Sequence, residues 1–367
     1  MTETGGRKCD FLTLSCATLA LGALLAWVEP AAHAQTVNPL SYKGPDRQKF
    51  LEDGAQRERT VVFYSGWGSD QVLRPMADAF QRKYPFIKME FVEGNGRVLS
   101  QKILNEARAN ARYGDIVGGT GVYGSLTKAK LAQPYYTPEA DAFPAEYKSP
   151  EGLFVSGNIY YYGVAYNTKT VAASDVPKTY EDLTDPKWKG KIVWPSNSDS
   201  GAPLFIGNIL LTMGAQTGED YLKKLSANRI VNYTGSARAM VDRVGQGEYL
   251  LALAAFAHHP LISKEKGAPL EVSMLQPVPT DINTILAVKD APHPHAAALL
   301  LDFIFSREGQ TSLRDSGYFP SRLDIEPIPE MRKVIPQLNG MKVNVFTPEA
   351  VTAVHDQANV LFQRYFR

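Results

Sequence analysis

The sequence predicts an α/β protein built from two successive units. Three observations lead there. Apolar runs of strand length alternate with stretches of helical spacing, small-residue turns separate each run from the helix after it, and the alternation restarts beyond a Pro- and Tyr-rich stretch from Gln133 to Pro150. A length of 367 residues suits two domains. With 44% hydrophobic and 21% charged residues the chain can bury a sizeable core, a balance that fits neither disorder nor an integral membrane protein. Lys and Arg number 39 against 38 for Asp and Glu, a net charge of +1 without long single-sign runs, so no nucleic-acid partner is expected.

The N-terminus reads as an export signal. Arg7 and Lys8 precede an apolar run from Phe11 to Val28, and Ala32-His33-Ala34 has the form of a cleavage site. Residues 1–34 are therefore expected to be a signal peptide cleaved after Ala34, with residues 35–59 an N-terminal extension of the mature chain. Both cysteines, Cys9 and Cys16, fall in the leader. Export without disulfides suits the bacterial periplasm. The competing reading, an uncleaved anchor, suffers from a run at the short end for spanning and from the cleavage site that follows it.

In the first unit, Thr60 to Tyr64 reads as a strand and leads through Ser65-Gly66-Trp67-Gly68-Ser69 into a helix from Asp70 to Tyr84, with Ser69 as N-cap. A second strand, Ile87 to Val92, passes through Glu93-Gly94-Asn95-Gly96 to a helix from Arg97 to Ala111. The third, Asp115 to Val117, passes through Gly118-Gly119-Thr120-Gly121 to a short helix near Ser125 to Ala132. This is βαβ repetition, which implies a parallel sheet with its loops gathered at the C-terminal strand ends. In the second unit, Ile159 to Tyr166, Ile192 to Trp194, Ile230 to Tyr233 and Leu250 to Phe256 read as strands. Asn197-Ser198-Asp199-Ser200 forms a cap cluster before the apolar run Leu204 to Met213, and Ser236 caps a helix from Ala237 to Val244. Beyond Pro277 come a strand (Ile282 to Val288), a helix (Pro294 to Ser306, with Ala297, Leu300, Leu301 and Ile304 on one face) and a closing helix from Pro348 to Arg367. Thr347 is placed to cap that last helix, with Pro348 at its first position.

The catalytic motifs do not assemble. Gly119-Thr120-Gly121-Val122-Tyr123-Gly124 fits the dinucleotide pattern, but no second strand follows to present Glu139 or Asp141 to a ribose. There is no phosphate-binding Walker sequence, no G-x-S-x-G elbow, no H-E-x-x-H, and no cysteine beyond the leader to act as nucleophile. The histidines beyond the leader, His258, His259, His293, His295 and His355, show no metal-ligand spacing. No enzyme, no cofactor and no metal site is expected, with a secreted hydrolase as the rival class. His258 and His259 directly follow an apolar strand, where neighbours point to opposite faces, so at most one of them is expected to face a cleft, the alternative being a plain loop pair. His293 and His295 are expected to be solvated.

What recurs is the helix N-terminus behind small polar residues, at Ser65–Ser69, Gly94–Arg97, Asn197–Gly201 and Thr234–Ala237. Free backbone N–H groups and the positive end of the helix dipole gather at such ends and hold oxyanions well. The candidate ligand-binding residues follow: the hydroxyls of Ser65, Thr120, Ser200 and Ser236, the guanidinium groups of Arg97 and Arg238, an aromatic wall of Trp67, Tyr160 and Tyr162, and His258. Tyr160 and Tyr162 share one strand face and Tyr161 takes the other.

Several segments carry a family resemblance: Val62-Phe63-Tyr64-Ser65-Gly66, Gly114-Asp115-Ile116-Val117, Gly163-Val164-Ala165-Tyr166-Asn167, the long run from Tyr180 through Asp182-Leu183-Thr184-Asp185-Pro186-Lys187-Trp188-Lys189-Gly190 to Lys191, and Leu301 to Gln310. From Val61 to about Arg322 the chain resembles the extracytoplasmic solute-binding proteins of ABC importers, in the branch that includes ferric-iron, phosphonate, sugar-phosphate and polyamine binders. The resemblance implies a two-lobed periplasmic binding protein fold, type II-like, with a ligand cleft between α/β lobes that the chain crosses at least twice. It places one lobe at 60–150 plus 275–322 and the other at 155–272 plus 323–367. It also implies a small-molecule ligand, an ABC transporter permease as partner, and a monomer. Where ferric binders of this branch commonly place a His, a Glu and a Tyr pair, this chain has Gly68, Thr120, and Ala257 with His258. A naked ferric ion needs hard anionic oxygens. The expected ligand is therefore a small oxyanion such as a phosphonate, phosphate ester or carboxylate, with ferric iron or a chelated metal as the alternative.

Overall fold

The computed structural model describes residues 37–196 and 200–367. The expected leader with Cys9, Cys16 and the cleavage position, and Asn197, Ser198 and Asp199 of the cap cluster, lie outside the described residues. The strands are β1 (Thr60–Ser65), β2 (Lys88–Glu93), β3 (Ile116–Gly119), β4 (Ala132–Gln133), β5 (Val155–Asn167), β6 (Ile192–Pro195), β7 (Val231–Tyr233), β8 (Leu251–Phe256), β9 (Leu270–Ser273), β10 (Val278–Val288), β11 (Phe319–Pro320) and β12 (Val343–Phe346). The helices are α1 (Arg47–Glu58), α2 (Arg74–Lys83), α3 (Gly96–Arg108), α4 (Val122–Lys128), α5 (Ala202–Met213), α6 (Ala215–Ser226), α7 (Ala237–Gly245), α8 (His258–Glu265), α9 (Pro294–Phe305), α10 (Arg307–Asp315), α11 (Pro329–Arg332) and α12 (Pro348–Phe366).

The strands run in the order β2-β1-β3-β10-β5-β8-β6-β7, with β4 and β12 on β10 and β9 and β11 on β5. β1 pairs in parallel with β2 and β3, and β6 in parallel with β7 and β8, so each group presents its C-terminal loops on one edge. Between them lie two long antiparallel strands. β10 pairs with β3 on one side and β5 on the other, while β5 gives residues 155–161 to β10 and residues 162–167 to β8 and β9. Every residue of β10 is buried, as expected of a strand covered on both faces.

The expected strands are all present, though Ile159 to Tyr166 and Ile282 to Val288 are the inner parts of the longer β5 and β10. Thr347 caps α12 through the Ala350 amide, with Pro348 at the first turn. Two differences concern helix starts. Ser69 does not cap: Gly68 takes that place, a π-helical turn (Ser69–Leu73) precedes α2, and the Ser69 amide donates to Glu93 Oε2 at 2.8 Å. The third helix begins at Val122 and ends at Lys128, earlier than expected, because Gly121 at φ 79° supplies the turn. Helices α1, α6, α8 and α10 had no sequence expectation. α1 is held by named polar contacts as much as by apolar ones: Arg47 pairs with Asp302, and Glu58 accepts from the His295 and Ala296 amides at 3.1 and 2.8 Å.

α9 carries the expected face of Ala297, Leu300, Leu301 and Ile304, yet almost its whole circumference is buried, so it is an inner helix. The residues of α12 whose side chains are described include Ala358, Leu361, Phe362 and Phe366, packed with Trp194 and Phe205 in one cluster. Two glycines fix how closely the edge loops approach. A Cβ on Gly96 would lie 1.9 Å from the Thr120 carbonyl oxygen, and one on Gly201 would lie 2.2 Å from that of Pro195. Each holds a helix start against the neighbouring loop. Gly96→Ala should therefore lower stability by about 1–3 kcal/mol, as overpacking does. Urea unfolding is the check, and an unchanged midpoint would contradict the close approach.

Candidate functional site

The loops at the C-terminal ends of β1, β2, β3, β6, β7 and β8 converge on a cleft of about 600 Å³. This is the place where open α/β sheets take ligands, because parallel strands deliver their helix N-termini there. Four helices start at its wall, α8 with His258 and His259 on its first turn and three behind small polar or glycine positions. Asn95 caps α3 through the Val98 amide, Gly201 precedes α5, and Ser236 caps α7 through the Ala239 amide at 3.1 Å.

Six of the residues expected in the site line this cleft: Thr120, Tyr160, Ser200, Ser236, Arg238 and His258. Of the four candidate hydroxyl residues, Ser65, Thr120, Ser200 and Ser236, Ser236 alone caps a helix. Gly121 and Gly201 take the capping positions next to Thr120 and Ser200. Ser65 is wholly buried behind the wall, where its hydroxyl accepts from the Trp67 amide at 3.1 Å. Trp67 is also core: its indole N–H donates to Asn158 Oδ1 at 2.7 Å, and Asn283 donates to the same oxygen at 2.9 Å, tying the β1 loop to β5 and β10. Arg97 is exposed on the first turn of α3 and is not among the lining residues. Tyr162 shares the Tyr160 face but lies deeper, next to Asp281 and Ser200. Tyr161 points the other way and donates to Gln337 at 3.1 Å.

Sequence reasoning missed Glu93, Phe256, His259 and Tyr318. Strand geometry lets at most one of the pair face a cleft; β8 ends at Phe256 as expected, but a helix starts at once, and both imidazoles stand on the first turn of α8 and line the cleft. Tyr318 follows α10 in a segment with no periodic signal, and nothing in the sequence pointed to it. His293 and His295 are not solvated: His293 Nδ1 lies 2.9 Å from Asp115 and His295 Nδ1 lies 2.6 Å from Glu58.

Arg238 is the cation of this cleft. Its Nε donates to Asp242 at 3.3 Å, Ser263 holds that carboxylate at 2.9 Å, and its Nη1 is buried without a hydrogen-bond partner among the described residues. Opposite stand aromatic rings, with Tyr160 at 4.6 Å from Phe256 and 5.8 Å from His258, and Tyr318 at 4.3 Å from His258. Burial raises the Tyr160 phenol well above its usual range and pushes Tyr318 up to about 12, so both are neutral. Burial, the neighbouring imidazole and Arg238 hold His258 far below the usual imidazole range, while burial and Arg238 bring His259 down to about 3. Behind the wall, burial pushes Asp281 up to about 7. The cleft thus offers one guanidinium, amide-rich helix ends, neutral rings, and the single carboxylate Glu93 among its lining residues.

An unfolded chain protonates these imidazoles near pH 6.5, whereas the folded one resists until far lower, so unfolding takes up protons and stability falls as pH drops from about 6.5 toward 3. Replacing His258 and His259 together by Phe should flatten that fall in urea unfolding. NMR titration should find both rings neutral at pH 5 while His293, raised by its bond to Asp115, titrates above the usual imidazole value. A charged His258 at pH 6 would contradict the burial.

Comparison with known proteins places this geometry. The family model described as bacterial extracellular solute-binding protein matches residues 115–340. Iron uptake protein A1 of Synechocystis sp. is 24% identical over 247 residues, covering 63% of this chain and 68% of that protein. AfuA from Actinobacillus pleuropneumoniae, solved with exogenous fructose-6-phosphate bound, superposes with a TM-score of 0.72 at 23% identity over 84% of this chain and 98% of that one. Iron-bound HitA from Pseudomonas aeruginosa gives a TM-score of 0.71 at 24% identity over 83% and 99%. The fold is that of two-lobed periplasmic binding proteins, and the chain belongs to the bacterial extracellular solute-binding protein family.

Proposed function

We propose that this chain captures a small oxyanion, a phosphonate, phosphate ester or carboxylate, in the cleft beside Arg238 and delivers it to an ABC permease as a periplasmic monomer. The observation that carries this reading is the buried, unpartnered Nη1 of Arg238 at a wall where α3, α5 and α7 all begin. A guanidinium supplies charge and paired donors, helix ends supply further N–H groups, and neither needs reorganisation when an anion arrives. The lobes proposed are 60–150 plus 275–322 and 155–272 plus 323–367, with β5 and β10 as crossovers. The packing of α12 on α5 and Trp194 supports giving the C-terminal helix to the second. Export with cleavage after Ala34 remains part of the proposal.

A second reading has one specific support: Glu93, Tyr160 and Tyr318 line the cleft with oxygen donors, and His258 adds an imidazole nitrogen, a set that suits iron. The relatives titled iron-bound HitA and iron uptake protein A1 give it weight. Against direct ligation, the described residues contain no group of three or more His, Cys, Asp and Glu side chains able to hold a metal. Iron carried as a complex with a small oxyanion is compatible with both readings.

A thermal-shift screen of phosphonates, phosphate esters, carboxylates, polyamines and ferric citrate separates them, because a ligand that binds the folded state raises the melting temperature. The anionic esters or acids should raise it in the wild type. Arg238→Gln should weaken the best of them by at least tenfold, the equivalent of one lost charge-assisted hydrogen bond of about 1.5–3 kcal/mol. Stabilisation by a polyamine alone, or an unaffected Arg238→Gln variant, would overturn the oxyanion reading. Stabilisation by ferric citrate and not by citrate would favour the second.

A further inference from the structure

His258 and His259 are not explained by the capture of an anion. Their ring centroids are 4.4 Å apart, both side chains are more than nine-tenths buried, and both line the cleft. Both ring nitrogens of His258 and Nδ1 of His259 have no hydrogen-bond partner among the described residues. Native structures rarely leave buried polar atoms unpaired, so each of these nitrogens calls for a partner. The surrounding groups do not supply the partner. The Tyr318 hydroxyl is engaged by the backbone at Gly68, and the Tyr160 hydroxyl faces Asn158 and Trp67. Phe256 closes a further side, 5.7 Å from the His258 ring.

The charged and titratable groups around the pair decide its protonation. Arg238 on α7 is the near charge, balanced in part by Asp242; Tyr160 on β5 and Tyr318 beyond α10 are neutral; Glu93 lies across the cleft; Lys264 and Glu265 sit at the far end of α8. Desolvation, the guanidinium and the positive start of α8 all oppose an added proton. Each ring therefore keeps one N–H and one lone pair. An oxyanion can accept from the N–H but cannot donate to the lone pair.

Resting on the oxyanion reading of the same cleft, we infer that His258 and His259 are specificity-determining residues: they select an anion whose organic part also carries an O–H or N–H donor. Sites built to pair a ligand hydroxyl discriminate strongly against an analogue that lacks it, because the protein's own polar atoms are then buried unpaired. Plain alkyl esters should bind less tightly than hydroxylated ones of the same charge by that measure.

The test uses two esters of equal carbon-chain length and charge, glycerol 3-phosphate and n-propyl phosphate, titrated calorimetrically at pH 8. The glycerol ester should bind at least tenfold more tightly. His258→Phe should bring that ratio close to one, His258→Gln, which keeps a donor and an acceptor, should restore part of it, and Arg238→Gln should weaken both esters while leaving the ratio. Equal affinities in the wild type, or a ratio untouched by His258→Phe and by His259→Phe, would overturn the inference while leaving the oxyanion reading in place. Failure of both esters, and of a hydroxylated phosphonate and a hydroxylated carboxylate titrated beside them, to bind would sink that reading and this one with it.

Discussion

Two buried strands running in opposite directions constrain everything else in this chain. β5 and β10 pair with each other and then, on their outer sides, with the two groups of parallel strands. Being covered on both faces, they leave no freedom of register, since a slip of one residue would turn every side chain to the wrong face. The Trp67, Asn158 and Asn283 hydrogen bonds fasten the β1 loop to the same pair. The walls of the cleft are therefore set by the core and not by the loops themselves.

From that frame the chemistry follows economically. Parallel strands bring helix starts to one edge, and glycines at 96 and 201 let those starts approach neighbouring carbonyls more closely than any other residue could. Arg238 then needs only one carboxylate, Asp242, to orient it, which leaves part of its guanidinium uncommitted. Burial does the rest by keeping phenols and imidazoles neutral, so the cleft is polar without being crowded by charge. The family to which the chain belongs is one of bacterial extracellular solute-binding proteins.

The sequence was most legible where periodicity and turn chemistry agree. The order of elements from β1 to α3, the Ser236 cap of α7 and the Thr347 cap of α12 could be read directly, because a strand period, a small-residue turn and a helical period follow one another, though the cap given to Ser69 falls to Gly68. Legibility failed where position in space replaces local pattern. Ser65 and Trp67 have the residue types of a binding loop, but their direction is fixed by Asn158, ninety-odd residues away along the chain. The His258 and His259 pair was misjudged because two periods give opposite answers: on a strand they would diverge, and on the first turn of a helix they lie together. Tyr318 and Glu93 reach the cleft through tertiary packing alone. α1, rich in charge and interrupted by Gly54, had too narrow an apolar stripe to be recognised, since its place is fixed by Arg47 and Glu58.

The central claim is that an anion sits between Arg238 and the starts of α3, α5 and α7. The most direct measurement is anomalous diffraction from crystals grown with selenate, whose scattering marks the anion independently of any assumption about the natural ligand. The account predicts one strong peak within hydrogen-bonding distance of the Arg238 guanidinium and of backbone amides at a helix start in the cleft. A cleft without a peak at selenate concentrations that stabilise the protein, or a peak held elsewhere on the surface alone, would contradict it.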